Sequence, residues 1–252
     1  MVSHPANTVL AEIGLKSPTT SVGLEGQYVY CIIETNEARN FGSMGIGERN
    51  DSVITISYKD LSAVVSSVPM AKYVVSRKTI LAHEKVIEKV MEDYTVLPVR
   101  FYTVAPNAEE IRNLLRKRYL EFKRLLREMD NKVELGLKCL WKDMNTILNE
   151  VVEESKNREA TDRIIKLALQ GKKAGEGEPI IKQLGKISGN FFLNQTYGDD
   201  MLMNAAFLVD KSREKEFDNE VAQLAAQYKD RIKFKYIGPV PPYSFVNIVI
   251  EP

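Results

Sequence analysis

The sequence predicts an α+β protein built from two ferredoxin-like α/β sandwich units, the second of which carries a protruding, antiparallel, coiled-coil-like helical arm. Short segments with the period-two pattern of strands alternate with longer segments of helical period, and this alternation runs through 25–104 and again through 105–238. Three prolines then lead into an apolar, strand-like tail within 239–252. Glycine and proline interrupt any period in residues 1–24, so we expect a flexible leader there.

The first unit follows the order strand, two strands, helix, strand. Its segments are 28–33, 53–57, 63–67, 76–94 and 95–99. Apolar residues of the fourth segment recur at helical spacing, and Ser76 in front of them is a residue type that caps helix N-termini. Pro98 has no backbone donor and therefore indicates the start or edge of a sheet. This order predicts a sheet packed under a helix.

The second unit opens with a continuous apolar stripe at helical spacing over 107–129, the clearest helix signal in the chain. The segments after it are a strand at 133–141, a helical arm at about 143–197, a strand at 202–209, a helix at 213–228 and a strand at 232–237. In the first of these strands Glu134 and Lys138 alternate with apolar residues. That alternation predicts a half-buried strand with both charged side chains in water.

The arm is predicted to consist of two antiparallel helices. A helical segment at 143–169 is followed by glycines and a proline that indicate a turn at 171–179, and a return helix runs from 180 to about 197. Charged residues separate the few apolar ones. We therefore expect the arm to protrude and to add little to the core.

The tail is predicted to dock, either on this protein or on a partner. Pro239, Pro241 and Pro242 fix φ and remove backbone donors, so the chain enters the tail in an extended conformation. Behind them Val246 lies on one face of a period-two pattern and Phe245 on the other. Because unattached termini are usually polar, an apolar pattern of this kind indicates packing.

Two segments carry a resemblance to a known family. The tail motif reads Gly-Pro-Val-Pro-Pro-Tyr-Ser-Phe-Val from Gly238, and a second segment reads Val-Leu-Pro-Val-Arg-Phe-Tyr-Thr-Val from Val96. The chain resembles the gas vesicle protein family GvpF/GvpL, whose members share a Gly-Pro-x-Pro-Pro-Tyr-x-Phe-Val tail and a Leu-Pro-x-Arg-Phe-Gly-Thr signature, over nearly everything after Leu24. Tyr102 stands where the family usually has Gly, and Val240 where it often has Trp. The matched residues, which are candidates for partner binding, are Pro98, Arg100, Phe101, Thr103, Gly238, Pro239, Pro241, Pro242, Tyr243, Phe245 and Val246.

The resemblance implies an accessory protein required for forming gas vesicles, the gas-filled protein shells of buoyant bacteria and archaea. It implies binding to the small, very hydrophobic major shell protein during nucleation or growth of the shell, and contact with other gas vesicle accessory proteins. The residues add a physical means of binding, because unpaired edge strands of small sheets can accept a strand from another chain.

Composition favours a cytoplasmic protein. Hydrophobic residues make up 44% and charged residues 27% of the 252 residues, with a formal charge of +1, which is typical of soluble globular chains. No apolar run approaches the roughly 18 to 20 residues that span a bilayer. Cys31 and Cys139 lie far apart within apolar runs, so we expect buried free thiols.

The sequence offers no catalytic or cofactor motif, so we predict no enzymatic activity and no cofactor. His83 and Glu84 match the start of a zinc-protease motif, but Ile87 stands where the second histidine must lie, and we expect His83 at the surface or at a helix cap. The alternative function is nucleic-acid binding through the basic helix between Arg112 and Arg127. Interspersed glutamates favour a simpler interpretation, a solvated helix face with internal ion pairs.

Overall fold

The computed structural model describes residues 25–70, 76–154 and 162–248, and these form two antiparallel sheets and six α-helices. The mixed α+β class predicted from the sequence is confirmed. The predicted leader at 1–24 and the last residues of the predicted tail lie outside the described residues.

The first sheet has the strand order β2-β3-β4-β1-β5, with β6 also pairing with β1. Its strands and the helix between them are β1 (Glu25–Glu34), β2 (Asn40–Ser43), β3 (Ser52–Tyr58), β4 (Leu61–Pro69), α1 (Arg77–Met91), β5 (Val96–Pro98) and β6 (Val104–Ala105). The predicted cap is present, since the Ser76 hydroxyl accepts from the Thr79 N–H and the Thr79 side chain bonds back to the Ser76 backbone. The sequence did not predict β2 and β6, whose few residues are too short to show a period.

Both faces of the first sheet are covered, which explains the apolar run in β1. A shift of register between Val29 and Cys31 turns Tyr28, Tyr30 and Cys31 towards α1, while Val29 and Ile32 face the opposite side. The opposite side is covered by two helices, α2 (Ala108–Lys117) and α3 (Tyr119–Met129). A strand buried on both faces shows continuous hydrophobicity instead of alternation.

The single helix predicted over 107–129 is two helices, because the backbone leaves helical geometry at Arg118, with φ −105° and ψ 20°. The Arg118 guanidinium pairs with Glu121 at 2.7 Å and lies 4.8 Å from the centre of the Phe122 ring. The predicted stripe is preserved across the break, since Ile111 and Phe122 are both buried against the first sheet. No Gly or Pro indicates the break in the sequence.

The second sheet has the strand order β10-β7-β9-β8. Its elements are β7 (Lys132–Trp141), α4 (Met144–Glu154), α5 (Asp162–Leu184), β8 (Asn190–Leu193), β9 (Met201–Asp210), a short 3-10 turn (Lys211–Arg213), α6 (Glu214–Gln227) and β10 (Ile232–Val240). With α4 and α5 counted as one layer, this is the β-α-β-β-α-β chain order of ferredoxin-like units. The first sheet departs from that order, because β2 occupies the place of the first helix.

The predicted arm is corrected in two respects. The turn expected at 171–179 lies inside α5, which continues through Pro179 to Leu184, and the return helix expected up to 197 is replaced beyond Leu184 by β8. The glycines in α5 misled the prediction, since the space around Gly171 and Gly175 is open and neither is needed for a turn. The connection between α4 and α5 lies outside the described residues.

The expectation that the arm adds little to the core is wrong. Ile147 and Val151 of α4 and Leu169, Ile180 and Leu184 of α5 are buried in the same cluster as β7, β9 and α6. Arg231, directly before β10, also pairs with Glu150 of α4 and with Glu176 of α5, each at 2.7 Å. Few positions of each helix face the sheet, and charged residues lie between them. The sequence therefore lacks the continuous apolar stripe that would have indicated a core helix.

The prediction that Glu134 faces water is also wrong, because this side chain is buried, whereas Lys138 is exposed as predicted. Cys31 and Cys139 are buried free thiols, as predicted. Among the described residues, no helix is both long and apolar enough to cross a membrane. Helices α2 and α3, which the sequence assigned to the second unit, pack on the first sheet. The division of the chain at 104/105 stays a prediction.

Candidate functional site

The two motif segments lie against each other although they are far apart in sequence. Val99, directly after β5, forms a parallel bridge with Ile248, and the Arg100 N–H donates to the Ile248 carbonyl at 3.4 Å. Val246 and Ile248 are buried in the cluster between the first sheet and helices α2 and α3. The described part of the tail therefore packs on the first sheet through a single bridge.

A turn in the tail is fixed to the second sheet by a buried carboxylate. The N–H groups of Phe245 and Val246 donate to the Pro242 carbonyl at 3.1 and 3.0 Å. Inside this turn, Ser244 donates its N–H and its hydroxyl to the two carboxylate oxygens of Glu134, at 2.7 and 2.8 Å. Burial raises the pKa of Glu134, and the two hydrogen bonds from Ser244 act in the opposite direction. The tail thus contacts both sheets. The two hydrogen bonds from Ser244 offset the free-energy cost of burying the Glu134 carboxylate.

The first residue of the tail motif is glycine for two structural reasons. Gly238 has a φ of +136°, which L side chains rarely adopt. A Cβ atom there would lie 2.7 Å from Leu135 Cδ2 and 3.1 Å from the Glu134 carbonyl oxygen. Both the conformation and the close approach to β7 therefore exclude a side chain.

Tyr102, one of the two departures from the family motif, lies in the turn after β5. Tyr102 has a φ of +69°, in the left-handed region that glycine adopts most easily, and the family usually has glycine there. The Tyr102 N–H donates to the Tyr28 hydroxyl at 3.0 Å, and the Thr103 hydroxyl donates to the Arg100 carbonyl at 2.7 Å. These bonds hold the turn in place with a residue less suited to it.

His83 lies beside this turn and is buried, with 2% of its surface exposed, so the expected surface or capping position is wrong. Its ring stacks on Tyr30 and meets Tyr28 and Phe101 edge to face, with centres 5.5–5.7 Å apart. Its Nδ1 lies 3.1 Å from the Tyr28 hydroxyl, while Nε2 has no hydrogen-bond partner among the described residues. Burial lowers the pKa of His83 to about 4, against the opposing effect of the Val99 backbone. The sequence could not reveal this environment, because its aromatic partners come from β1 and the turn after β5.

An open cavity of about 600 Å³ lies where α1, the turn and the tail meet. Of the residues predicted from the motifs, Pro98, Arg100, Phe101, Tyr243 and Val246 line it. Thr103 lies instead at a second cavity of about 780 Å³ on the α2 side of the same turn, which Arg100 and Phe101 also line. Six of the eleven motif residues therefore surround one junction, whose described side chains suit binding and packing.

The basic helix region is largely neutralised by its own neighbours. Its ion pairs join Arg112 to Glu109, Arg118 to Glu121, Lys123 to Asp60 and Glu34, and Arg124 to Glu128. These pairs agree with a solvated helix face and leave few cations available for phosphate groups. Among the described residues no cluster of three His, Cys, Asp or Glu side chains could hold a metal ion.

Sequence reasoning missed an exposed apolar edge strand. β8 is the outermost strand of the second sheet, and its Phe191, Phe192 and Leu193 are 41%, 51% and 53% exposed. The preceding Gly189 and the two adjacent phenylalanines could have indicated a strand, but the segment was assigned to the return helix.

Known proteins match the whole of this architecture. The family model described as gas vesicle synthesis protein GvpL/GvpF matches residues 26–247. Gas vesicle protein F1 of Halobacterium salinarum is 28% identical over 90% of this chain and 95% of that protein. Gas vesicle protein F of Microcystis aeruginosa is 25% identical over 89% of this chain and 99% of that protein.

Two solved structures share the fold. The crystal structure of GvpF from Microcystis aeruginosa has a TM-score of 0.76 at 24% identity and covers 88% of this chain and 99% of that one. GvpF from Anabaena sp. has a TM-score of 0.75 at 21% identity, covering 90% and 100%. The structures share the fold, and the family model spans both sheets and the junction: the chain belongs to the gas vesicle synthesis protein GvpL/GvpF family.

Proposed function

We propose that this chain is a non-catalytic accessory protein that binds the small hydrophobic shell protein and supports nucleation or growth of the gas vesicle. Family membership gives it a gas-vesicle-related role, and the binding step is the finer proposal. In this role it works in the cytoplasm at the vesicle, together with other gas vesicle accessory proteins.

The observation that carries the proposal is the apolar edge of β8. The Asn194 N–H donates to the Asn204 carbonyl at 2.8 Å, so the alternation of an antiparallel ladder turns the Phe192 N–H towards β9 and the Phe191 and Leu193 N–H groups outward. The Phe191 N–H is bonded to the Asn190 side chain at 2.9 Å. Leu193 therefore offers an outward backbone donor beside three exposed apolar side chains, which suits an added strand from a hydrophobic chain.

The opposite edge of the same sheet is protected. β10 carries Lys233, Lys235 and Pro239, and lysine and proline are residue types that prevent pairing at natural sheet edges. β8 has neither and is limited only by its length of four residues. The contrast within one sheet supports a binding role for the β8 edge.

The junction residues have a different proposed role. Val246 is buried and Pro98 belongs to β5, so we assign them to holding the tail. Tyr243 is 38% exposed, and Arg100, Gly238 and Pro239 are also exposed, so these four are the motif residues most accessible to a partner.

The proposal is tested by co-expressing the tagged full chain with the major shell protein and measuring how much shell protein is retained. The edge variant is Leu193→Pro, which removes the outward donor without removing a ladder bond, since proline is accepted where the N–H faces away from the sheet. We expect strong loss of retention with Leu193→Pro and smaller loss with Leu193→Ala, which keeps the donor.

A second edge variant, Leu193→Lys, keeps the backbone intact and places a charge at the edge. It should also reduce retention, and circular dichroism should show native folding. Absence of shell protein from the wild-type sample would contradict the binding function. Retention unchanged in both the Pro and Lys variants would contradict the role of the edge.

A further inference from the structure

The open face of the second sheet carries a cationic apolar groove next to β8. Cross-strand register aligns Phe192, Ala206, Gly136 and Ile237 in one row across β8, β9, β7 and β10. Phe192 is 51% and Ile237 56% exposed, while the two residues between them are among the smallest. Ile237 leans over Gly136, since its Cγ1 lies 2.8 Å from the position that a Gly136 Cβ would take, and Ala206 is buried. The row is therefore an apolar strip that ends in two exposed side chains, Phe192 and Ile237.

The neighbouring row is polar and positively charged. It contains Asn204, Lys138 and Lys235, which are aligned across β9, β7 and β10. Lys138 and Lys235 are direct cross-strand partners and both are exposed, and neither has an ion pair among the described residues. Like charges placed opposite each other destabilise a sheet. The free protein thus keeps an unfavourable pair at this position.

Acidic groups on this face do not neutralise the lysines. Glu134 lies on the same face and lines the groove of about 350 Å³, but its carboxylate oxygens accept from Ser244 and it forms no ion pair with a described lysine. Lys233 lies on β10 opposite Leu140 and adds a third exposed cation nearby. The groove therefore carries a net positive charge, and its lysines can pair with the carboxylates of a partner.

We propose that this groove binds an acidic, apolar polypeptide segment whose carboxylates pair with Lys138 and Lys235 and whose apolar side chains contact Phe192 and Ile237. Adjacent strands are about 4.8 Å apart, so the lysine of β7 lies roughly 10 Å from β8. One partner chain can therefore occupy both the groove and the β8 edge. The inference rests on the proposed function for the identity of that partner, and adds the surface and the chemistry of the contact.

A polypeptide fits this face better than RNA does. Four-stranded sheets that bind single-stranded RNA stack bases on aromatic rings of their central strands. Here the central strands β7 and β9 present Gly136, Lys138, Asn204 and Ala206, with no ring. The exposed ring of Phe192 lies at the edge.

The test uses the purified full chain and a short capped peptide of alternating leucine and glutamate, with a leucine and glutamine peptide for comparison. We expect binding of the glutamate peptide that weakens with salt, and about ten-fold weaker binding by the Lys138→Glu, Lys235→Glu double variant, because two exposed ion pairs are lost. The matched control is Lys186→Glu, Lys215→Glu, which changes net charge equally at exposed positions away from the groove.

A second readout needs no ligand. The single variant Lys138→Glu removes the like-charge pair and places a carboxylate opposite Lys235, so its denaturation midpoint should rise while peptide binding falls. Equal binding of both peptides, equal binding by the double variant and its control, or tighter binding of a single-stranded RNA oligonucleotide would overturn the inference. Since no vesicle protein is present, these results are separate from failure of the shell-protein capture experiment.

Discussion

The buried imidazole of His83 predicts a specific loss of stability in acid. The pKa of His83 is about 4 in the folded protein because of burial, whereas an unfolded histidine titrates near 6.5. Between these values the unfolded chain binds the extra proton and the folded protein does not, so stability falls as pH decreases from 6.5 to 4. At about 1.36 kcal/mol per pH unit, the full effect is about 3 kcal/mol, with about 2 kcal/mol lost by pH 5.

The measurement is urea unfolding of the wild type and of His83→Gln between pH 4 and pH 8. Glutamine keeps a polar partner for the Tyr28 hydroxyl but does not titrate, so the variant should lack the steep component below pH 6.5. Only the pH dependence is compared, which removes the general cost of the substitution. Equal pH dependence of both proteins, or an NMR titration of the His83 ring near pH 6.5, would refute the reasoning.

Three further substitutions probe the junction by the same unfolding measurement. Val246→Ala should cost about 2 kcal/mol because it removes buried methyl groups, whereas the exposed neighbour Asn247→Ala should cost less than about 0.5 kcal/mol; equal costs would mean that the tail does not pack. Ser244→Ala should cost about 1.5 to 3 kcal/mol, since the buried Glu134 carboxylate loses a hydrogen bond, and a change within error would mean that this carboxylate is satisfied by water. Tyr102→Gly should be about 1 kcal/mol more stable than Tyr102→Ala, because alanine is strained at positive φ, and the reverse order would contradict the left-handed turn.

The sequence predicted the elements whose side chains follow one period over their whole length. The strands that became β1, β3, β4, β7, β9 and β10 were all anticipated. The break at Arg118 was not, because no Gly or Pro lies there, and the contacts that accompany the break are only a local i,i+3 ion pair with Glu121 and a contact with the Phe122 ring. The turn wrongly placed at 171–179 shows the converse, that glycine and proline inside a helix do not end it when the helix packs on a sheet.

The site was predicted at the level of motifs but not of contacts. The resemblance selected Pro98, Arg100, Tyr243 and Val246, and these lie at one junction. The role of Glu134 was hidden, because strand alternation assigns it to solvent and only the distant Ser244 explains its burial. Buried polar partners from remote segments leave no periodic signal in a sequence.

The packing of the tail also sets an order on folding during synthesis. The core under the first sheet includes Val246 and Ile248, so that sheet leaves the ribosome long before two of its core side chains exist. At about 5 to 20 residues per second, the delay is several seconds to tens of seconds. During that interval the space that the tail later fills is open to chaperones or to other nascent chains, and the first unit reaches its final stability only when the tail has been translated.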